Sequence, residues 1–268
     1  MPQLQRTHGK ISAVWENQQL CDLYQSGSAK LILPKNHQQI PEAVLINTAG
    51  GIADGDILHY NISLHDKCSL TVTSQTAERV YGAVNEKPAN MTINLLLGED
   101  CLLQWLPQEM ILFNQSRIKR YLNIAMHPTS RLIMCESVIF GRHLMNERVK
   151  NCFFMDNWKI NMDNQPKHYE CVHINDNIDE ILNAKAGLNH HQCYMTLLYI
   201  GADLEKFITP LDNFYSKTPQ DTLKLGYSYW QNKLIIRILA NDGFILKTKL
   251  TQILHDILAI ETPKSWGT

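Results

Sequence analysis

Most of the signatures by which a catalytic chain declares itself are missing here. No glycine run is followed by Gly-Lys-Ser/Thr, so there is no phosphate-cradling P-loop, and no G-x-G-x-x-G opens a helix. G-x-S-x-G and H-E-x-x-H are absent as well, which removes the common serine-hydrolase and zinc-protease motifs. There is no C-x-x-C pair, and seven cysteines is an odd number, so the cysteines do not read as a disulfide framework. An excess of basic charge is lacking too. With 25 Lys and Arg against 26 Asp and Glu the net charge is −1, which leaves no footprint for nucleic acid. No apolar run approaches bilayer length, and the first residues carry none of signal-peptide length. The expected setting is therefore reducing and cytoplasmic, without a membrane.

What is present is enough apolar material for a real core, 44% of 268 residues with 19% charged. No linker or low-complexity segment divides the chain, so a single domain over residues 1–268 is expected. The most pointed stretch is Asn47-Thr48-Ala49-Gly50-Gly51-Ile52-Ala53-Asp54-Gly55-Asp56. It follows the apolar run 43–46, which reads as a buried strand. Its three glycines call for backbone angles closed to other residues, or for close approach of another backbone. Asp54 and Asp56, two apart, share a face if the chain is extended there.

A repeat follows. Residues 60–64, 91–95 and 122–126 are alike, and their central isoleucines, Ile62, Ile93 and Ile124, are 31 apart in both steps. Each copy runs into a turn (65–67, 98–100, 127–130) and then a second strand (68–73, 101–106, 131–136). A two-strand unit repeated at fixed period predicts stacked coils, each covering its neighbour's apolar face. Further strands are expected at 9–14, 20–24, 30–33, 153–162, 168–174, 194–200 and 233–239. Turns are expected at 25–28 and 163–166, and a polar loop at 35–41. Leu204, Phe207, Leu211 and Phe214 give one helical stripe, interrupted by Pro210; Leu246, Leu250, Ile253, Leu254, Ile257 and Leu258 give another. The predicted class is mainly β, a solenoid-like stack with two α-helices near the C-terminus.

The informative acids lie on or beside the repeat: Asp56, Glu78, Glu109 and Glu136. Gln75, Gln108 and Glu136 fall near the end of the second strand in successive copies, which places them in a polar ladder either on the surface or along an internal passage. Carboxylates are seldom buried unpaired, which favours the surface. In 168–173, strand alternation sends His168 and Glu170 one way and Cys171 and His173 the other. Such donors suit nickel or zinc, but splitting them between faces argues for an ordinary half-buried strand. His190-His191 reads as a solvated pair. Cys68, Cys101, Cys135 and Cys171 read as small apolar groups in or beside strands.

Taken in order, several of these pieces resemble the urease accessory protein D family, called H in some species. They are Asn47 to Gly51 with Gly55-Asp56; Thr73-Ser74-Gln75-Thr76-Ala77-Glu78-Arg79-Val80-Tyr81; Trp105-Leu106-Pro107-Gln108-Glu109-Met110-Ile111; Arg131-Leu132 with Phe140-Gly141-Arg142 and Glu147; and Pro263-Lys264-Ser265-Trp266. Departures are Asp54 for a usual glycine, Glu136 for a common aspartate and Lys264 for a usual arginine. The resemblance implies a β-helical scaffold with two helices near the C-terminus and no catalytic residue of its own. It implies partners: accessory protein F, the GTPase accessory protein G, and the urease apoprotein. It also implies transient passage of Ni²⁺, with no tightly bound cofactor, along a polar interior route whose matching positions are Asp56, Glu78, Glu136 and Glu170. The alternative is a polysaccharide-acting enzyme on a β-solenoid, with two carboxylates across an open, aromatic-lined groove.

Overall fold

The computed structural model describes residues 5–35, 39–65, 67–141 and 148–267. Asp66 in the first predicted turn, residues 36–38 of the predicted loop, and Arg142 and Glu147 of the family motifs lie outside the described residues.

Period-two burial builds the first sheet. In β1 (His8–Glu16), β5 (Ile57–Leu64), β8 (Ala89–Leu97), β11 (Arg117–Met126) and β13 (Asn151–Met162), every second side chain is buried over most of the strand. These five lie parallel, side by side in that order. An antiparallel strand closes each end, β2 (Gln19–Gly27) against β1 and β14 (Gln165–Asn177) against β13. The two-residue links Asn17-Gln18 and Asp163-Asn164 have φ of 52°, 64°, 50° and 58°. Positive φ at both central residues is what a tight hairpin with right-handed strand twist requires. The predicted four-residue turn at 163–166 thus shrinks to two.

The second sheet faces the first. β4 (Glu42–Asn47), β6 (Ser69–Ser74), β9 (Leu102–Trp105) and β12 (Arg131–Phe140) run parallel. β3 (Ala29–Ile32) closes one end of this run. The other end is continued antiparallel by β15 (Cys193–Ile200), β17 (Lys233–Ala240) and β16 (Leu223–Trp230). Two short strands, β7 (Glu78–Val80) and β10 (Met110–Leu112), pair with each other, and β10 pairs with the end of β12. The chain passes from sheet to sheet, β5 to β6, β8 to β9, β11 to β12, so each pass is one coil of a β-solenoid.

The repeat is real, but its register is not uniform. Ile62 pairs with Leu95 and Leu95 with Ile124, so the coils are 33 (95 − 62) and 29 (124 − 95) residues long, with the predicted 31 as their mean. Ile93 instead pairs with Tyr60 and Leu122. A slip of two keeps the same side chains inside, which is why the apolar pattern hid it. Strands β7, β10 and β16 were not legible as strands, nor was the short helix α1 (Ile178–Asn183). The predicted turn at 25–28 is mostly strand, since β2 runs on to Gly27.

Both predicted C-terminal helices form. A 3₁₀ turn at Leu204–Phe207 leads into α2 (Ile208–Lys217), which places Pro210 in the first α-turn, where its missing N–H costs least. Asp242 caps α3 (Gly243–Asp256) by accepting from the Ile245 amide at 2.8 Å. Two apolar clusters result, one between the sheets and one on the outer face of the second sheet beneath α2 and α3. The chain end seals that outer face: Trp266 Nε1 donates to Thr73 Oγ1 at 3.0 Å, and the Lys264 amide to the buried Glu42 at 3.0 Å. Cys68, Cys101 and Cys135 are buried as expected, whereas Cys171 is exposed on the outward phase of β14.

Candidate functional site

Inside the solenoid the inward phase should be apolar throughout. On β11 it reads Ile118, Arg120, Leu122, Ile124, and on β13 Phe154, Asp156, Trp158, Ile160. The two interruptions are paired in register. Across the interior, Glu136 breaks the inward phase of β12 between Met134 and Val138. The three side chains meet. Arg120 forks onto Asp156, Nε to Oδ1 at 2.9 Å and Nη2 to Oδ2 at 2.6 Å, while its Nη1 donates to Glu136 Oε2 at 2.5 Å. Two indoles brace the carboxylates: Trp105 Nε1 donates to Glu136 Oε1 at 2.8 Å and Trp158 Nε1 to Asp156 Oδ2 at 3.0 Å. Every residue of the trio is at most 3% exposed. One cation faces two anions, so the trio carries a net negative charge when all are ionised. Burial works against the charged Arg120, but the carboxylates of Asp156 and Glu136 outweigh it and hold the guanidinium protonated. Burial pushes the Glu136 carboxyl up, with Arg120 pulling the other way.

A cavity of about 60 Å³, room for a few water molecules, runs inward to this trio. Its lining includes the exposed Gly50, Gln75 and Thr76, then Tyr60, Met91, Ile93 and Trp105, and the buried Arg120 and Glu136. Glu78 stands at the mouth. Its carboxyl is pushed up to about 7, first by desolvation and also by the nearby charge of Asp56, against an opposing hydrogen bond from Asn47. Asn47 organises that mouth. It donates to Glu78 Oε1 at 3.1 Å and to the Gly51 carbonyl at 3.0 Å, and accepts from the Ala49 amide at 3.1 Å. Gly51, at φ 153°, leaves no room for a Cβ, which would sit 2.4 Å from the Tyr81 ring.

Beyond the trio the polar line continues. Glu136, Thr196 and Arg237 are successive in-register partners across β12, β15 and β17. Arg237, about half exposed, holds both oxygens of Glu170 at 2.8 and 2.6 Å. Desolvation works upward on Glu170, but the hydrogen bonds and charge of Arg237, with His168 Nε2 3.5 Å away, keep its carboxyl below the usual range. The Tyr194 hydroxyl is buried without a hydrogen-bond partner, in the fields of Asp156, Arg120, Glu136 and Glu170.

Of the four predicted acids, Glu78 and Glu136 therefore line one cavity, and Glu170 lies farther along the same interior. Asp56 does not point into it. Both its oxygens are taken by backbone amides, Thr7 and Ala53, each at 2.7 Å, so it shapes the turn. Nor do Asp54 and Asp56 share an extended face. Asp54 instead accepts from Arg6 at 2.8 Å and from the Asn85 amide and side chain at 3.0 Å. The surface expectation for the ladder fails at Glu136, which is interior and paired. Gln75 and Gln108 stay at the rim, with Gln108 Nε2 donating to the Gln75 carbonyl at 2.7 Å. His191 is also buried, its Nδ1 3.0 Å from the Leu188 carbonyl, against the expected solvated pair. His168 and Glu170 face inward and Cys171 and His173 outward, as strand alternation required. Among the described residues, no three His, Cys, Asp or Glu side chains converge to hold a metal ion, and no helix is long and apolar enough to cross a membrane. The solenoid-enzyme alternative looks for two carboxylates across an open, aromatic-lined groove; Glu136 and Asp156 are instead buried and held by Arg120.

Reasoning from sequence missed Arg120, Asp156, Tyr194 and Arg237. The available signal was a charge on the apolar phase of a strand, visible at Arg120 and Asp156 once the phase is written out. The motifs that carried the family resemblance converge on this region: 47–51 and 73–81 form the mouth, Trp105 braces Glu136, and Gln108 reaches Gln75, Ser265 and Lys247.

Comparison with known proteins agrees. The family model described as UreD urease accessory protein matches residues 8–265. Urease accessory protein UreD of Agrobacterium fabrum is 33% identical over 265 residues, covering 98% of this chain and 91% of the relative. The protein of that name from Dinoroseobacter shibae is 32% identical over 276 aligned residues, covering 99% and 94%. The one from Rhizobium rhizogenes is 30% identical over 269, covering 99% and 96%. With its β-solenoid, its ordered motifs and a family match across nearly its whole length, the chain belongs to the UreD family of urease accessory proteins.

Proposed function

We propose that this protein is a non-catalytic chaperone subunit of urease maturation. In this reading it works in the cytoplasm as one unit, docks with accessory proteins F and G on the urease apoprotein, and delivers nickel through its interior. The observation that carries the reading is the cavity from Glu78 to Glu136, with the polar line continuing through Thr196 to Glu170 and Arg237. The nickel ion is cargo, not a resident cofactor. A route must admit Ni²⁺ and then release it, which favours spaced oxygen donors and water over a closed cage of imidazole and thiolate. Carboxylates separated along a narrow cavity supply that. Asp56 then acts indirectly, through the turn it holds and the field it adds at Glu78.

The test is a rescue. Urease structural and accessory genes are expressed in a heterologous host with or without this chain, and urease activity and bound nickel are measured. Both are expected only when the chain is supplied. Glu78→Gln and Glu136→Gln are expected to lower both while partner co-purification persists, and Asp56→Ala to act mainly through stability. Full nickel loading without the chain would sink the assignment.

A further inference from the structure

Arg120 lines the buried side of the cavity, and the way it is held has the form of a latch. We infer that Arg120 is the gate of the passage, with its fork on Asp156 as the fixed arm and its Nη1 contact to Glu136 as the arm that lets go, so that a divalent cation advances by replacing Arg120 at Glu136. The inference rests on the passage reading above and adds how transit is controlled.

Four observations support it. First, Arg120 and Glu136 themselves line the cavity, so the ion pair borders the open space at its buried side. Second, the two arms are unequal: Asp156 is held through two parallel bonds and Glu136 through one. A two-bond fork is stiffer than a single contact and releases second. Third, Glu136 does not depend on Arg120 alone, because Trp105 keeps its other oxygen in place when Nη1 leaves. Fourth, a free acceptor oxygen lies close to the trio. The unpartnered Tyr194 hydroxyl lies buried within the fields of Asp156, Arg120, Glu136 and Glu170. With all three groups ionised, the net negative charge of the trio favours an arriving cation, and the guanidinium excludes it until the contact opens. A pair serving only stability has no need of an excess anion beside a water-sized cavity.

The test uses purified complexes of apo-urease, the accessory proteins and the full chain, with nickel added at time zero and the rate of urease activation followed. Arg120→Met with Asp156→Leu removes the gate and leaves Glu136 as the one buried carboxylate of the trio, still held by Trp105. Activation on the order of tenfold faster is expected. Glu78→Gln is the control for the passage and is expected to slow activation. If Glu78→Gln slows activation while the double variant, folded and retained in the complex, stays within about twofold of wild type, the gate is refuted and the passage stands. If Glu78→Gln leaves the rate unchanged, the passage reading falls and the gate with it. Should the double variant fail to assemble, Arg120→Lys decides. It keeps the charge and loses the fork, so activation about threefold faster is expected, and the wild-type rate in a folded Arg120→Lys protein overturns the proposal.

Discussion

Glu78 changes its protonation within the ordinary range of pH. Its carboxyl is lifted from 4.5 to about 7 in the fold. A raised carboxyl is fully protonated in both states below its unfolded value, so it costs nothing there. Between about 4.5 and 7 the unfolded chain ionises first, and the fold loses stability as pH rises. Allowing for partial exposure at the mouth, that loss is about 2 kcal/mol. Denaturation of Glu78→Gln is therefore expected to show a flatter stability profile than wild type between pH 5 and 8, and higher stability at pH 8. Arg120 behaves oppositely. Arg120→Ala leaves two carboxylates buried without a cation and is expected to cost about 3–5 kcal/mol, whereas Arg120→Met with Asp156→Leu leaves Glu136 alone without one and is expected to cost less. Chemical denaturation at pH 7 separates the two. Glu78, Glu136 and Glu170 became candidates through the family resemblance, as acids at its matching positions. It hid Arg120 and Asp156 because their meaning lies in which face of a strand they occupy and in a partner 36 residues away. Asp56 looked equivalent to the others, since no pattern distinguishes a carboxylate that caps two amides from one that lines a cavity.

Among the elements, the turn after β4 carries the most constraint. A methyl group at Gly51 would meet both the Tyr81 ring and, at 2.9 Å, the Arg79 carbonyl. Gly51→Ala is expected to destabilise by about 2 kcal/mol or more and to displace Tyr81, whose hydroxyl holds the Gly50 carbonyl at 2.9 Å. A thermal melt with near-ultraviolet circular dichroism reads both effects. Loss of the α3 cap through Asp242→Ala is expected to cost about 1 kcal/mol. Elements with a strong period were legible: β5, β8, β11, β13 and α3 announce themselves in alternation or in a helical stripe. Strands of three residues, β7 and β10, offer no period to read. β16 escaped because its second half is exposed, so alternation never develops.

At the scale of the molecule, the second sheet serves two cores at once, with the solenoid interior on one face and the helical layer on the other. The chain end closes that layer through Lys264, Ser265 and Trp266. Truncation after residue 260 is expected to uncover Thr73 and Glu42 and to lower the melting temperature by several degrees. Increased binding of a hydrophobic dye at unchanged strand content would show that the solenoid itself survives. Antiparallel strands cap the stack at both ends, so its number of coils cannot drift. The polar line from Glu136 through Thr196 to Arg237 runs across the strands rather than along them. Its length is therefore counted in strands, at roughly 4.8 Å each. The fold is thus a ruler with a fixed number of divisions. Lengthening a loop leaves the span from Glu136 to Arg237 unchanged, and only the gain or loss of a whole strand between them moves one away from the other.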